Sequence, residues 1–160
     1  MKLTPFVKGL ITGTAMIAVV LAIYYSGKDA HPAIQYLIYL IYGAGIVWSV
    51  KPHTSSSAFT GKFGDAFAQG FKCFVVVTLL MALFYWVFNA THPEFAEETS
   101  LAYRDHLIRE KQTLPHVIDT EVATFKKQYT LKLVSGAIFG YLIIGAAVTA
   151  IISAISTRRK

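Results

Sequence analysis

The sequence predicts an all-α integral membrane protein with four transmembrane helices, an amphipathic interfacial helix before the third and a helical hairpin insert between the third and fourth. Charged residues make up only 15% of the 160 residues, against about 25% in an ordinary soluble domain. The segment 131–155 has no charged side chain after Lys132. About twenty apolar residues in a helix cross roughly 30 Å of hydrocarbon. The chain therefore contains at least one segment whose natural solvent is lipid.

The first two spans are predicted at about 6–25 and 32–50. The first carries a G-x-x-x-G pattern at Gly9 and Gly13, which lets two helix backbones approach closely. Its apolar part is long enough to span and no small-residue cleavage site follows, so it is expected to be a helix of the protein and not a cleavable signal. Lys8 is near enough to the interface to extend its ammonium toward water.

An interfacial helix is predicted over about 57–71, because four phenylalanines recur at intervals of four residues along one helical stripe. These are Phe59, Phe63, Phe67 and Phe71. This helix would lead into a third span at about 72–90. Its phenylalanines are as well suited to packing against the bundle as to sensing lipid.

The segment 91–130 is the sizeable water-exposed part and is predicted to be a helical hairpin. Its first helix begins near Pro93, followed by acidic residues that complement a helix N-terminus. From Pro115 a second helix carries an apolar stripe at Ile118, Val122, Phe125 and Tyr129. The stripe continues into the fourth span at about 131–155, so the two are expected to form one long helix.

The fourth span has its own small-residue face, and basic residues follow it. Gly136 and Gly140 form a second G-x-x-x-G, and alanines continue the four-residue step at Ala146 and Ala150. We expect one glycine face to pack inside the bundle. The cluster of Arg158, Arg159 and Lys160 favours a cytoplasmic C-terminus. With four spans the N-terminus is then cytoplasmic too, in an inner (cytoplasmic) membrane.

Motifs for catalysis, cofactors or metals are missing from the sequence, so no catalytic, cofactor-binding or metal-ligating residue is assigned. The single cysteine, Cys73, leaves no second thiol for a metal site. His92, His106 and His116 share the insert with acids but have no ligand spacing, which favours solvated surface histidines. The basic residues lie at span ends and not along one helix face, which argues against a nucleic-acid partner.

Three stretches carry a resemblance to a known family: VKGLITGTAMI, KFGDAFAQGFK, and HPEFAEE together with SGAIFGYLIIGAAVTAIISAI. With these the chain resembles small bacterial inner-membrane proteins, mostly from Bacteroidota, grouped as domain of unknown function four-one-nine-nine. The resemblance implies four spans with a helical insert and no established activity. It also implies an association with glycosyltransferases that act on polyprenyl-phosphate-linked sugars.

These observations predict a non-enzymatic accessory or anchoring subunit of a membrane complex. Its expected contacts are the lipid bilayer and either a membrane-protein partner or a second copy of this chain. A different class stays open: a small transporter or lipid-binding protein, with a groove lined by Tyr36, Tyr39 and Tyr42. An enzyme is the third class, and it would need polar groups that converge near the outer membrane face.

Overall fold

The computed structural model describes residues 3–26, 32–110 and 115–158, and within these ranges all regular secondary structure is helical. In chain order the helices are α1 (Pro5–Tyr25), α2 (Pro32–Thr54), α3 (Phe63–Thr91), α4 (Glu94–Glu110) and α5 (Pro115–Arg158). The all-α prediction is therefore confirmed for the described part of the chain. α5 is 44 residues long, so the second insert helix and the last span form one continuous helix.

The start of α1 is specified locally. Pro5 occupies the first turn, where its missing N–H costs nothing. Thr4 precedes it in an extended conformation, and its hydroxyl accepts a hydrogen bond from the Val7 N–H at 3.4 Å. This arrangement satisfies one of the amides that a helix leaves unpaired at its first turn.

A separate interfacial helix over 57–71 was expected, and this prediction is wrong. Residues 55–62 form turns and irregular structure, and α3 runs 29 residues from Phe63. Phe59 therefore lies outside the helix, whereas Phe63, Phe67 and Phe71 lie within it. The physical reason is that Asp65 accepts hydrogen bonds from the N–H and hydroxyl of Thr60, which sets the helix start, and nothing between Phe63 and Thr91 interrupts the helix.

Three helices, α1, α3 and α5, are long and apolar enough to cross a membrane. α2 is not among the helices identified in this way in the described part of the chain. The length and apolar composition of these three helices therefore indicate a membrane protein. The fourth span stays a prediction.

The chain divides into two compact units, one of residues Met1–Met81 with Ile138–Lys160 and one of residues Ala82–Ala137. The core of the first unit comes from all of its helices. Its fully buried side chains include Met16 of α1, Tyr42 and Ile46 of α2, and Val77 and Met81 of α3. From α5, Tyr141 is also buried, and its carbonyl accepts a hydrogen bond from the Tyr42 hydroxyl at 2.8 Å.

Glycines make the close contacts of this first unit. A Cβ placed at Gly9 would lie 2.8 Å from the Cys73 carbonyl oxygen, and one at Gly13 would lie 2.7 Å from Leu80 Cδ2. α1 and α3 are therefore in contact through the first G-x-x-x-G. Three further glycines would clash in the same way: Gly45 with Thr12, Gly70 with Thr149, and Gly145 with Tyr42 and Phe74.

The outer surface of the first unit is apolar. On α2 and α3, Leu40 and Leu79 are more than three-fifths exposed, and on α5 Ile143 and Ile151 are about equally exposed. A water-soluble unit seldom presents so many large aliphatic side chains on adjoining helices. Lipid is the solvent in which such a surface is stable.

The second unit is a helical hairpin of different character. Leu107 of α4 and Ile118 of α5 are buried, and the rings of Tyr103 and Phe125 stack with centroids 4.5 Å apart. The Arg104 guanidinium donates to Asp119 Oδ1 at 2.9 Å across the hairpin. Both partners of this ion pair are half-exposed, so it contributes little stability.

The glycine contacts predict a pair of substitutions with opposite outcomes. Gly9→Ala places a methyl against the Cys73 backbone and destabilises the protein by about 1 to 3 kcal/mol. Gly43→Ala is the matched control, since a Cβ there meets no atom within 4 Å. It is neutral, or stabilising by up to about 1 kcal/mol, because alanine is the better helix former. Thermal unfolding of the two purified variants in one detergent measures both effects, and equal midpoints would contradict the packing described.

Candidate functional site

Two surfaces of the described chain are candidates for function: a cavity in the first unit and an outward face of α5. The cavity has a volume of about 440 Å³. We call it the Lys8 pocket. It is lined by Leu3, Pro5, Lys8, Trp48, Ser49, Pro52, His53, Ser56, Ala58 and Gln69.

The Lys8 side chain is the unusual feature of this pocket, because only 7% of the residue is exposed. Its ammonium donates a hydrogen bond to the Trp48 carbonyl oxygen at 3.0 Å and lies 5.5 Å from the centroid of the Trp48 ring. A carbonyl dipole and an aromatic face both favour a cation. α1 thus presents its charge to the last turns of α2.

The two serine hydroxyls of the pocket donate hydrogen bonds to main-chain carbonyls. The Ser49 hydroxyl donates to the Gln69 carbonyl at 3.1 Å, and the Ser56 hydroxyl donates to the His53 carbonyl at 2.7 Å. His53 Nε2 lies 2.9 Å from Asp65 Oδ1. The pocket therefore contains serine, histidine and a nearby aspartate, but neither serine hydroxyl is bonded to the imidazole.

Asp65 lies in the first turn of α3, ahead of the uncharged stretch that begins at Cys73. Its pKa is lowered below the usual value, first by the Thr60 backbone N–H and then by the His53 side chain. Hydrogen bonds to the ionised form favour that form. The carboxylate therefore connects the end of α2, the 55–62 segment and the start of α3.

The charge at this end of the first unit is strongly positive. Five described basic residues belong to the unit, whereas Asp65 is its single described carboxylate. The five are Lys8, Lys51, Lys62, Lys72 and Arg158. They fall at the start of α1, the end of α2, around the start of α3 and the end of α5. Anions are favoured at such a surface.

The second candidate surface is the outward face of α5. A Cβ at Gly136, in the second unit, or at Gly140, in the first, would meet no described atom within 4 Å. Tyr141, Gly145, Thr149 and Ser153, at four-residue steps, are turned inward and are buried. Ala146 and Ala150 are half-buried, at the border between the two faces.

The predicted phenylalanine stripe is only partly continuous. The rings of Phe63 and Phe67 stack with centroids 5.7 Å apart, and those of Phe67 and Phe71 with centroids 6.4 Å apart. Phe63 and Phe71 are nearly half exposed. Phe59 is buried instead, with its ring edge-on to His53 at 5.9 Å.

Of the three tyrosines expected to line a groove, Tyr39 and Tyr42 both lie near the ring of Tyr141. Tyr36 is 73% exposed, whereas Tyr42 is fully buried and bonded to the Tyr141 carbonyl. The Tyr39 ring lies 6.3 Å from that of Tyr141. Neither the Lys8 pocket nor the cavity of the second unit includes any of the three.

The remaining predicted positions fall in three places. His92 stacks on Phe88 at 4.4 Å and His116 lines a cavity of about 530 Å³ in the second unit. Among the described residues no three histidine, cysteine or acidic side chains are grouped so that they could hold a metal ion. Arg158 is exposed at the end of α5, and Arg159 and Lys160 lie outside the described residues.

The matched family profile covers residues 8–158 and describes a protein of unknown function, DUF4199. The chain belongs to the DUF4199 family. No curated protein and no solved structure matches this DUF4199 chain. The family assignment thus confirms the resemblance seen in the sequence and adds no activity to it.

Sequence reasoning did not find the Lys8 pocket of this DUF4199 protein. Lys8 was identified as a lysine that reaches the interface, but Trp48, Ser49 and His53 were not singled out, because they lie about forty residues further along the chain. The sequence does contain one signal for this pocket. A lysine inside an apolar helix needs a partner or a route to water.

We predict that Asp65→Asn loosens the 55–62 segment while leaving the rest of the fold intact. The substitution removes the carboxylate that accepts hydrogen bonds from Thr60 and is paired with His53. The expected result is severalfold faster hydrogen exchange at the Thr60 amide at neutral pH. Because the pKa of Asp65 is lowered, wild type keeps this protection above the ordinary carboxylate range and loses it as the pH falls through that pKa.

Lys62→Gln is the control for that measurement, since Lys62 is an exposed residue of the same segment. Exchange at Thr60 should be unchanged in this variant. Equal acceleration in both variants would show that the Asp65 contacts do not hold the segment.

Proposed function

We propose that this DUF4199 protein is a non-enzymatic accessory or anchoring subunit of a membrane complex, and that it binds a transmembrane helix of its partner on the outward face of α5. The single observation that supports this is the open G-x-x-x-G at Gly136 and Gly140. The protein has two such motifs. Gly9 and Gly13 already contact α3, so the motif on α5 is the one available for a helix from another chain.

The packing physics favours a helix as the occupant of this face. Lipid tails and apolar side chains differ little in polarity, so helices associate in a bilayer through close van der Waals packing and not through a hydrophobic driving force. A glycine pair removes the side chains that hold two backbones apart. The side chains of Phe139 and Ile143 are exposed beside the glycine pair. They would flank a docked helix and add contact area.

The arrangement of the polar groups supports a non-enzymatic role. The hydroxyls of Ser49 and Ser56 donate to main-chain carbonyls, and His53 is paired with Asp65. An activated serine needs its hydroxyl within hydrogen-bond reach of the base. The groups that could form a catalytic serine site are thus near one another but bonded to other atoms.

The fourth span is part of the same proposal. α2 has 23 residues, a length of about 34 Å, which is sufficient to cross the hydrocarbon. Its Leu37 and Leu40 are exposed, whereas Tyr42, Ile46 and Val50 are buried. The tyrosines lower its hydropathy, but Tyr42, the most deeply buried, turns its hydroxyl inward to a carbonyl.

The family resemblance names one candidate partner, a polyprenyl-phosphate glycosyltransferase. A second copy of this chain is the other. Purification of the tagged full-length protein from its own membranes in mild detergent, followed by mass spectrometry, distinguishes them. A membrane enzyme in stoichiometric amount supports the proposal and identifies the partner. Recovery of the chain alone, as a monomer, would refute it.

Gly136→Leu and Gly140→Leu are predicted to weaken partner recovery roughly tenfold, equivalent to about 1.4 kcal/mol, because the added side chain separates the two backbones. Gly43→Leu is the matched control, since it adds the same side chain at another open glycine, on a different helix. The measurement is the amount of partner retained per tagged chain. Full retention by both α5 variants would exclude this face as the docking surface.

A further inference from the structure

The Lys8 pocket is a polar cavity at the basic end of an apolar unit. Its wall on the α1 side is apolar, with Leu3 and Pro5, and Pro52 and Ala58 add apolar surface beside His53. Its volume of about 440 Å³ is within the range of cavities that hold small organic ligands. The pocket combines a place for an apolar chain with a place for a charged group.

The charge of Lys8 has incomplete compensation from the described residues. An ammonium has three N–H donors, and the one described acceptor is the Trp48 carbonyl oxygen. No described carboxylate forms an ion pair with Lys8. A buried cation is costly unless it is paired or solvated. Two donors on a buried cation that lines the cavity therefore favour an anionic occupant.

The nearby carboxylate is committed elsewhere. Asp65 lies against His53 on one oxygen and accepts two hydrogen bonds from Thr60 on the other. It lies in the first turn of α3 and is not among the residues that line the cavity. The further basic residues at this end, Lys51 and Lys62 among them, reinforce the positive potential.

We propose that the Lys8 pocket binds the phosphate of an anionic phospholipid headgroup. The phosphate oxygens would accept the two remaining Lys8 donors. The acyl chains would lie along the exposed side chain of Ile11, which is one turn after Lys8 on the same side of α1. Trp48, 40% exposed beside the pocket, is the residue type that concentrates at the level of the headgroups.

A lipid accounts for features that a free phosphate leaves unused. A small inorganic anion needs the cation but neither the apolar wall nor the apolar side chain of α1 outside it. A phospholipid uses all three. The Lys8 pocket shares no residue with the α5 face, so a lipid can bind in the pocket whether or not a helix docks on α5.

The test is thermal stabilisation of the full-length protein in a non-ionic detergent by three probes: dihexanoyl phosphatidylglycerol, dihexanoyl phosphatidylcholine and inorganic phosphate. Wild type should bind the phosphatidylglycerol about fivefold more tightly than Lys8→Gln does, the expected contribution of one lysine to an anionic lipid. Lys8→Arg should retain most of the affinity. Lys62→Gln, which removes an exposed charge near the same end, should stay within a factor of two of wild type.

Three results would overturn the proposal. Equal stabilisation by phosphatidylcholine would show that the anionic charge is not recognised. Equal protection by inorganic phosphate would show that the ligand is a free anion and not a lipid. Equal losses in Lys8→Gln and Lys62→Gln would indicate diffuse attraction to the basic end. If Lys8→Gln fails to fold, native mass spectrometry of the wild type identifies the phospholipids that it retains. Retained lipid with no enrichment of anionic over zwitterionic species would refute the site.

Discussion

Close approach of helix backbones is the constraint on which the first unit depends. Five glycines stand where a Cβ would strike a neighbouring helix, and in two of the five the nearest group is the side chain of a threonine. In lipid, a loose contact cannot be compensated by excluding water. Each glycine therefore converts a helix crossing into dense van der Waals contact, and the unit is stable to the extent that these crossings remain tight.

The Lys8 pocket is a direct consequence of one such contact. Gly45 of α2 lies against Thr12 of α1, and the Thr12 hydroxyl donates to the Lys8 carbonyl one turn earlier. Residues four apart share a helix face. One turn beyond the crossing, the same faces therefore bring Lys8 to the last turns of α2, where Trp48 and Ser49 lie. Without the small residue at Gly45, the helices would separate and the cation would have no carbonyl to reach.

The two surfaces proposed for binding differ in what they recognise. The α5 face offers shape alone, since it consists of glycine, alanine, branched aliphatic side chains and the Phe139 ring. The Lys8 pocket offers charge in a partly dry setting, where an ion is attracted more strongly than in water. Neither proposed binding event involves a chemical step, and the serine and histidine side chains of the pocket are bonded to main-chain or aspartate atoms.

Much of the fold was accessible from the chain alone, because the relevant signals are local. Long uncharged segments identified α1, α3 and α5, and the unbroken apolar stripe after Pro115 indicated that α5 is one helix. The predicted interfacial helix was wrong because side-chain contacts between nearby residues, which hydrophobic periodicity does not register, set the start of α3. The hydrogen bonds of Asp65 to Thr60 start α3 at Phe63, and Phe59, four residues earlier in the same periodic pattern, packs on His53 instead.

The sequence by itself determined that the chain is helical, that it belongs in a membrane, that it carries two glycine motifs and that it is a member of the DUF4199 family, since composition, periodicity and family pattern are properties of neighbouring residues. Only the tertiary structure decided which glycine motif is used internally. It also decided that Lys8, Trp48 and Ser49 meet. Those outcomes depend on which helix faces come into contact, and that choice is made by packing between segments far apart in the chain.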